Sequence, residues 1–258
     1  MEKKYYDLCI GPGDLAEKIL LAERLGWSGL CVSFDFDADY KSLLKELENA
    51  KKESKLDFLV GARISVSEPQ DVQKKARAAL EYADLILVEG GDEEINRAAS
   101  ECWEVDILCH PEKVSGKDLP DQKNSGVDHV IAHYMAERTI ALEINFSELL
   151  CSFGMVRSQV MGRMRQNIML AKKYGVPLII ASGGGDLFSL RAPRDLYSVC
   201  ISLGMDAGFA KRVLQDDPMR IVGKARDRKN PDVIMKGLSV ISRGAEKQAG
   251  KKKMSGWY

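Results

Sequence analysis

The chain has 258 residues, of which 45% are hydrophobic, and its formal net charge is zero. This length and composition suit a single globular domain with a sizeable core, and they argue against a disordered or fibrous protein. The first 19 residues carry charges where a secretory signal needs an apolar stretch. No uncharged apolar run approaches the roughly 20 residues that a membrane-spanning helix requires.

Six cysteines lie in apolar segments, and none of them forms a Cys-x-x-Cys pair. This pattern is typical of reduced thiols in a core rather than of a disulfide framework or a zinc site. We therefore expect a cytoplasmic protein with no membrane association.

Short apolar runs alternate with amphipathic segments along most of the chain. The apolar runs predict seven strands, at residues 6–10, 30–34, 58–64, 85–89, 105–109, 141–145 and 178–182. The amphipathic segments predict helices at residues 14–25, 41–52, 69–82, 127–138, 155–174, 193–203 and 206–214. Gly26 and Pro193 are typical of a helix end and a helix start.

The regular alternation of strands and helices favours a parallel sheet. Seven strands are visible and an eighth is not, so we expect an α/β barrel that is irregular or incompletely closed. A doubly wound open sheet is the alternative.

Charge is distributed unevenly. Residues 1–217 hold 27 Lys and Arg against 35 Asp and Glu, a net charge of −8, whereas residues 218–258 hold 11 against 3, a net charge of +8. We therefore expect a barrel domain at 1–217 and a basic C-terminal extension at 218–258, partly disordered from about residue 243. Such an extension either contacts a polyanion or is a solvated segment without a specific partner, and charge alone leaves both open.

His110 ends a predicted strand in the segment VDILCHPEK, and barrel enzymes place ligands at that end of their strands. Metal-dependent hydrolases of the PHP class carry a similar strand-His-Pro element. They also need an early His-x-His, and the first strand here reads Asp7-Leu8-Cys9. One imidazole and scattered carboxylates make a poor metal site, so we expect His110 to be a packed, hydrogen-bonded histidine.

Arg191 and Arg194 lie at the start of the helix that Pro193 opens. The helix dipole disfavours cations there, at a cost of about 0.3–1 kcal/mol each. A carboxylate such as Asp195 or an RNA phosphate would compensate, and the sequence does not decide between them.

His129 and His133 share one helix face, and we expect one to be partly buried while the other meets solvent or RNA. Arg163 and Arg165 fall on opposite flanks of an apolar stripe, which favours solvated charges.

The run Gly183-Gly184-Gly185 suits a phosphate-binding turn, but a flexible connection is the simpler interpretation. Aromatic residues make up only 7% of the chain, which argues against platforms that stack single-stranded bases. Any RNA contact would then be made to backbone phosphates and to RNA shape.

Several segments together resemble the archaeal and eukaryotic p30 family of ribonuclease P proteins. They are LGWSGLCVSF, VDILCHPEK, GVDHVIAHYMAERTIALEINFSELL, MRQNIMLAKKYGVPLIIASGG and LRAPRDLYSVCISLGM. The similarity runs from about residue 5 to residue 217. The extension beyond Pro218 has no counterpart that the resemblance assigns.

This resemblance implies a TIM-barrel-like fold related to PHP hydrolases but without their chemistry. It implies assembly with a Pop5-type protein subunit and other ribonuclease P proteins, as a dimer of heterodimers with Pop5, and support of the ribonuclease P RNA. That RNA uses its own magnesium ions to remove 5′ leaders from precursor tRNA. The resemblance implies no cofactor bound by this chain. By position, His129, Arg191, Arg194 and, more weakly, Arg165 become RNA-contact candidates.

Two other functions are weighed beside this one. A PHP-like metal-dependent hydrolase would bind zinc or manganese and depend on His110. A purely structural assembly subunit would make no RNA crosslinks through its barrel.

Overall fold

The computed structural model describes residues 4–36, 40–113, 117–118, 122–183, 185–235 and 237–241. Within these residues the strands are β1 (Tyr6–Ile10), β2 (Gly29–Asp35), β3 (Asp57–Ile64), β4 (Leu85–Glu89), β5 (Ile107–Cys109), β6 (Ala141–Asn145), β7 (Leu178–Ala181), β8 (Val233–Met235) and β9 (Leu238–Ser239). The α-helices are α1 (Leu15–Leu25), α2 (Tyr40–Glu53), α3 (Asp71–Ala79), α4 (Glu93–Glu101), α5 (His129–Arg138), α6 (Phe146–Cys151), α7 (Gly154–Tyr174), α8 (Pro193–Ser202), α9 (Ala207–Leu214) and α10 (Asp216–Lys229).

Strands β1 to β7 lie side by side in chain order, and every hydrogen-bonded pair is parallel. The two outermost strands, β1 and β7, meet each other. The amide of Gly183 donates to the carbonyl of Cys9 at 3.2 Å, and the amide of Ser182 donates to the Asp7 carboxylate at 3.2 Å. The sheet is therefore a nearly closed TIM-barrel-like barrel, as expected, and not a doubly wound open sheet.

All seven predicted strands are present, and the predicted helices are present with shifted ends. Helix α4 was not predicted, although its start carries a clear signal. The Asp92 carboxylate accepts the amides of Glu94 at 2.9 Å and Ile95 at 3.1 Å, which caps the helix. Helix α6 was also missed, because it has only six residues and too short a pattern for periodicity to show.

Two apolar clusters hold the barrel together. The larger one lies between the strands and the surrounding helices, and the smaller one fills the inside of the barrel. Ile221, Val222 and Ala225 of α10 belong to the inner cluster. Helix α10 therefore closes the barrel at the amino ends of its strands.

Polar contacts fix α10 in this position. The Asp217 carboxylate accepts the amide of Leu178 at the start of β7, at 3.0 Å. Just before β5, Asp106 pairs with Arg228 at 2.7 Å and with Lys224 at 3.1 Å. All of these contacts lie at the amino ends of strands, opposite to the end where barrel enzymes bind their ligands.

The predicted start of an extension at residue 218 falls inside α10. Residues 218–229 form a helix with a buried apolar face, so they are part of the barrel rather than of a tail. The weak periodicity of this segment in sequence reflects its many charges, several of which are ion-paired or buried. The disorder predicted from residue 243 lies outside the described residues.

None of the helices in the described part of the chain is long and apolar enough to span a bilayer.

Candidate RNA-binding face and the polar mouth of the barrel

The carboxyl ends of the strands form a polar mouth above the apolar interior of the barrel. We define the mouth by its buried or half-buried polar side chains, which are Cys9, Ser33, Arg63, Glu89, Cys109, His110, Glu143 and Asn145. Parallel strands bring these residues together because their carboxyl ends meet at one end of the barrel. The sequence predicted only His110 among them as a site residue.

His110 is 7% exposed and has a positive φ of 48°. Its Nε2 lies 3.2 Å from the Asn145 amide nitrogen, and its Nδ1 lies 3.6 Å from Glu148 and 3.8 Å from Glu112. Burial by itself would lower the pKa of His110, but the carboxylates of Glu112 and Glu143 outweigh it and raise the pKa to about 9. The packed, hydrogen-bonded strand-end histidine that we expected is confirmed.

Arg63 organises one side of the mouth. Its Nη2 donates to the Cys9 thiol at 3.2 Å and to the Ser33 hydroxyl at 3.0 Å, and its Nε faces Glu89 at 3.2 Å. The hydrogen bond with Cys109 lowers the pKa of the Cys9 thiol to about 7, and the Arg63 charge acts in the same direction against the effect of burial. The mouth therefore stabilises negative charge on Cys9.

Glu143 faces the same group from β6. It is fully buried, and burial raises the pKa of its carboxyl well above the ordinary value. Its Oε1 accepts a hydrogen bond from Asn145 at 3.2 Å, whereas its Oε2 has no hydrogen-bond partner among the described residues. An unpaired buried carboxylate oxygen is uncommon in folded proteins.

Arg191 lies just before α8, in the connection that follows β7. Its Nη1 donates to the carbonyls of Phe188 at 2.5 Å and Leu190 at 3.0 Å, and its guanidinium lies 5.4 Å from the centre of the Phe146 ring. These contacts hold the side chain half-buried on the loop surface. The guanidinium is therefore positioned before any ligand binds.

Arg194 occupies the first turn of α8 and is exposed. Among the described residues neither Arg194 nor Arg191 forms an ion pair with Asp195. Asp195 nevertheless lies in the same first turn of α8, next to Arg194 in the chain. The Arg194 side chain faces solvent, whereas Arg191 is half-buried against the loop.

His129 is the first residue of α5, where the Asp128 carboxylate caps the helix by accepting the amide of Ile131 at 2.7 Å. Both His129 and His133 are exposed, so the prediction that one of them is partly buried was wrong. The reason is that Ile131, Ala132 and Met135 turn the other face of α5 to the core.

The two arginines of α7 differ from the prediction that both are solvated. Arg165 is exposed and donates to the carbonyl of Ser202 at 3.1 Å. Arg163 is 6% exposed, pairs with Asp118 at 2.9 Å and donates to the carbonyl of Glu112 at 2.8 Å. Arg163 is therefore a structural residue that anchors the loop after β5, and only Arg165 faces solvent.

The first turns of α5 and α8 follow the carboxyl ends of β5 and β7, so His129, Arg191 and Arg194 lie at the same end of the barrel. Arg165 lies midway along α7, on the helical flank. The structure thus brings three of the four sequence-predicted RNA-contact residues to one end, which we call the basic end.

The glycine run after β7 packs against the β1–α1 loop. Gly183 has a φ of +68°, and a Cβ there would lie 2.0 Å from the Asn145 side chain. Its amide is used in the bond to Cys9, and the carbonyl of Gly185 accepts from the buried Lys18 ammonium at 2.7 Å. These two glycines thus serve barrel closure, and Gly184 lies outside the described residues.

Exposed apolar side chains also lie at the basic end, and the sequence analysis missed them. Phe153 is 73% exposed, Met155 89% and Phe188 82%. Phe153 and Met155 lie at the start of α7, and Phe188 follows β7. The signal that was available is that these residues fall off the core stripe of their segments. Large apolar side chains exposed at one end of a domain are typical of a protein-binding surface.

Comparison with known proteins places the chain in a family. The model of the RNase P subunit p30 family matches residues 4–230. Ribonuclease P protein component 3 of Methanococcoides burtonii is 31% identical over 93% of this chain and 95% of its own length. The component 3 of Methanococcus maripaludis strain S2 is 28% identical over 87% of this chain and 93% of its own length. The family match extends past residue 217, where the sequence resemblance ended.

Two solved structures show the fold relationship. A chain in a cryo-EM structure of archaeal ribonuclease P with mature tRNA aligns with a TM-score of 0.79 and 28% identity, over 93% of this chain and all of that one. Histidinol phosphate phosphatase of Lactococcus lactis, in complex with zinc, L-histidinol and phosphate, aligns with a TM-score of 0.51 and 12% identity over 86% of this chain and 94% of that one. The second likeness is one of fold alone. The chain belongs to the RNase P subunit p30 family.

Proposed function

We propose that the chain is a protein subunit of ribonuclease P that binds the catalytic RNA through the basic end of its barrel and so supports the removal of 5′ leaders from precursor tRNA. Family membership supports the assignment to this ribonucleoprotein. The observation that carries the site is the pair Arg191 and Arg194 at the start of α8, neither of which is ion-paired among the described residues. RNA phosphate would supply negative charge to this pair.

The fixed position of the Arg191 side chain supports this assignment. A guanidinium that is already held by two carbonyls and an aromatic ring loses little conformational freedom when it binds a phosphate. His129 and Arg194 extend the contact at the same end of the barrel, and Arg165 adds a weaker contact on the flank.

We further propose that the RNA performs the cleavage with its own magnesium ions and that the chain by itself is not catalytic. The PHP-like hydrolase alternative rests only on the fold. No histidine occurs in β1, where that chemistry needs a pair of them. The Nε2 of His110 lies 3.2 Å from the Asn145 amide nitrogen, and its Nδ1 faces Glu148 at 3.6 Å and Glu112 at 3.8 Å.

Assembly with a Pop5-type protein subunit is part of the proposal. The exposed Phe153, Met155 and Phe188 would lose water contact against such a partner, which is the chief driving force for protein association. We place the assembly in the cytoplasm, where the free thiols that the chain carries stay reduced.

The proposal is tested by reconstituting precursor-tRNA cleavage at limiting magnesium with the double variant Arg191→Ala/Arg194→Ala. The rate of cleavage should fall. Binding to ribonuclease P RNA should become less dependent on salt, with the slope of log K against log salt reduced by about 0.7–0.9 for each phosphate contact that is lost. The thermal unfolding temperature should fall only slightly, from the loss of the Arg191 contacts, because neither side chain belongs to the core.

Arg24→Ala is the matched control. Arg24 is exposed in the last turn of α1, at the other end of the barrel, and carries the same charge. The basic end would be wrong as the RNA site if the double variant cleaved precursor tRNA and bound RNA with the same salt slope as the unmodified chain. It would also be wrong if Arg24→Ala reduced cleavage and the salt slope as much as the double variant does. Leader removal by the isolated protein would instead support the hydrolase alternative.

A further inference from the structure

Two thiols and a carboxylate converge inside the mouth of the barrel. One ligand atom from each of Cys9 on β1, Cys109 on β5 and Glu143 on β6 lies within 4.8 Å of the other two. All three residues are at most 1% exposed. They come from strands far apart in sequence, and only closure of the barrel brings them together.

The unpartnered oxygen of Glu143 is a separate observation that points to a ligand. Its Oε2 is buried and lacks any hydrogen-bond partner among the described residues. Buried carboxylates are as a rule hydrogen-bonded, ion-paired or bound to a metal. The nearest groups of the cluster are thiol sulfurs, which are weak hydrogen-bond donors, so they satisfy this oxygen poorly.

The donor set identifies the class of ion. Soft thiolate ligands select zinc among the common biological divalent ions, whereas magnesium and calcium take oxygen ligands. Ligand atoms of a tetrahedral zinc site lie about 3.5–3.8 Å apart. The ligand atoms of Cys9, Cys109 and Glu143 all lie within 4.8 Å of one another, which is close to this spacing.

Arg63 brings positive charge to the cluster. Two thiolates and a carboxylate around a divalent cation leave one net negative charge, and the Arg63 guanidinium lies beside Cys9 at 3.2 Å while its Nε faces Glu89 at 3.2 Å. Charged groups in a buried site are stable only when they are compensated in this way.

We propose that Cys9, Cys109 and Glu143 bind one zinc ion in the mouth of the barrel, with Arg63 as the neighbouring counter-charge. This proposal departs from the expectation that the chain binds no metal. That expectation rested on the few histidines and on the absence of a Cys-x-x-Cys pair, and neither feature reports on ligands that only the barrel assembles. The site holds an ion within the protein and is separate from the RNA-bound magnesium.

The test is metal analysis of the full chain produced in cells grown on cobalt-containing or zinc-containing minimal medium, so that the ion is present while the barrel forms. The unmodified chain should carry about one metal ion, and the cobalt form should show the near-ultraviolet absorption of a thiolate-to-cobalt charge transfer. Cys9→Ser/Cys109→Ser should lose both signals. Cys151→Ser, which changes an exposed thiol, should keep both.

Glu143→Gln is a second test, in case the double cysteine variant does not fold. It keeps both thiols and should lower metal occupancy or affinity by more than the roughly 10–100-fold that outer partners of a metal site contribute. Absence of zinc and cobalt from the unmodified chain overturns the proposal. Unchanged metal content in folded Cys9→Ser/Cys109→Ser, or in Glu143→Gln, overturns it as well.

Discussion

At the scale of single residues, the close packing of the barrel interior requires a residue without a side chain in the middle of β3. Gly61 lies in the middle of β3 between Cys31 of β2 and Leu87 of β4. A Cβ at this position would lie 2.8 Å from the Cys31 sulfur and 2.9 Å from Leu87 Cδ1. Both neighbours are fully buried, so neither has room to move away.

We therefore predict that Gly61→Ala lowers the free energy of unfolding by about 1–3 kcal/mol, the usual cost of overpacking a tight core. Urea denaturation measures this directly. Gly223→Ala is the control, because a Cβ there meets nothing within 4 Å and Gly223 lies inside α10, where alanine is favoured by about 0.5–1 kcal/mol. A Gly61→Ala variant as stable as the unmodified chain would show that the interior is loosely packed.

At the scale of secondary-structure elements, α10 shows how charge is used inside a fold. Asp106 is fully buried and pairs with Arg228 and Lys224 of this helix. Burial by itself would raise the pKa of Asp106, but the two positive charges and the hydrogen bond from Arg228 outweigh it and lower the pKa. Asp106 therefore holds α10 at the start of β5 through these ion pairs only while its carboxyl is ionised.

This arrangement predicts a dependence of stability on pH. Because the pKa of Asp106 is lower in the folded chain than in the unfolded one, its contribution is present above the ordinary Asp value of about 4 and is lost as the pH falls below it. Asp106→Asn leaves Arg228 buried without its counter-charge, and should cost about 3–5 kcal/mol near pH 7. Urea denaturation at a series of pH values measures both effects, and the variant should lose less stability than the unmodified chain as the solution is acidified. Parallel pH profiles for the two proteins would contradict this role.

At the scale of the whole molecule, the two ends of the barrel have different tasks. Helix α10 closes the end at the amino termini of the strands with an apolar face and ion pairs. The opposite end carries His129, Arg191 and Arg194 together with the exposed apolar side chains of Phe153 and Phe188. One end thus holds the fold together, and the other is the end at which we propose that RNA and protein partners bind.

This division predicts where the chain can be shortened. A chain that ends at residue 230 should fold, whereas one that ends at residue 217 should not unfold cooperatively, because its inner core would lie open to water without Ile221, Val222 and Ala225. Circular dichroism measures the helix content of the two truncated chains, and thermal melting measures whether each of them unfolds cooperatively. Cooperative melting of the shorter chain at the temperature of the full one would restore the boundary at residue 217.

The sequence by itself determined the seven barrel strands, most helices and the family, because apolar periodicity and local motifs are properties of neighbouring residues. It also predicted that Arg191 and Arg194 lie at a helix start, since Pro193 marks that start locally. It did not predict the short strands β8 and β9. It did not predict α10 as part of the barrel, because its charges hide its apolar face until Asp106 and Asp217 are seen beside them.

Tertiary structure alone decided the composition of the polar mouth. Cys9, Cys109 and Glu143 are separated by long stretches of chain, and no spacing rule links them. The sequence placed Arg163 and Arg165 on opposite flanks of α7, and tertiary structure decided that the flank of Arg163 is the one that is covered. The physical reason is the same in each case. Burial and contact depend on which elements meet when the sheet closes, and closure joins residues that the linear order keeps apart.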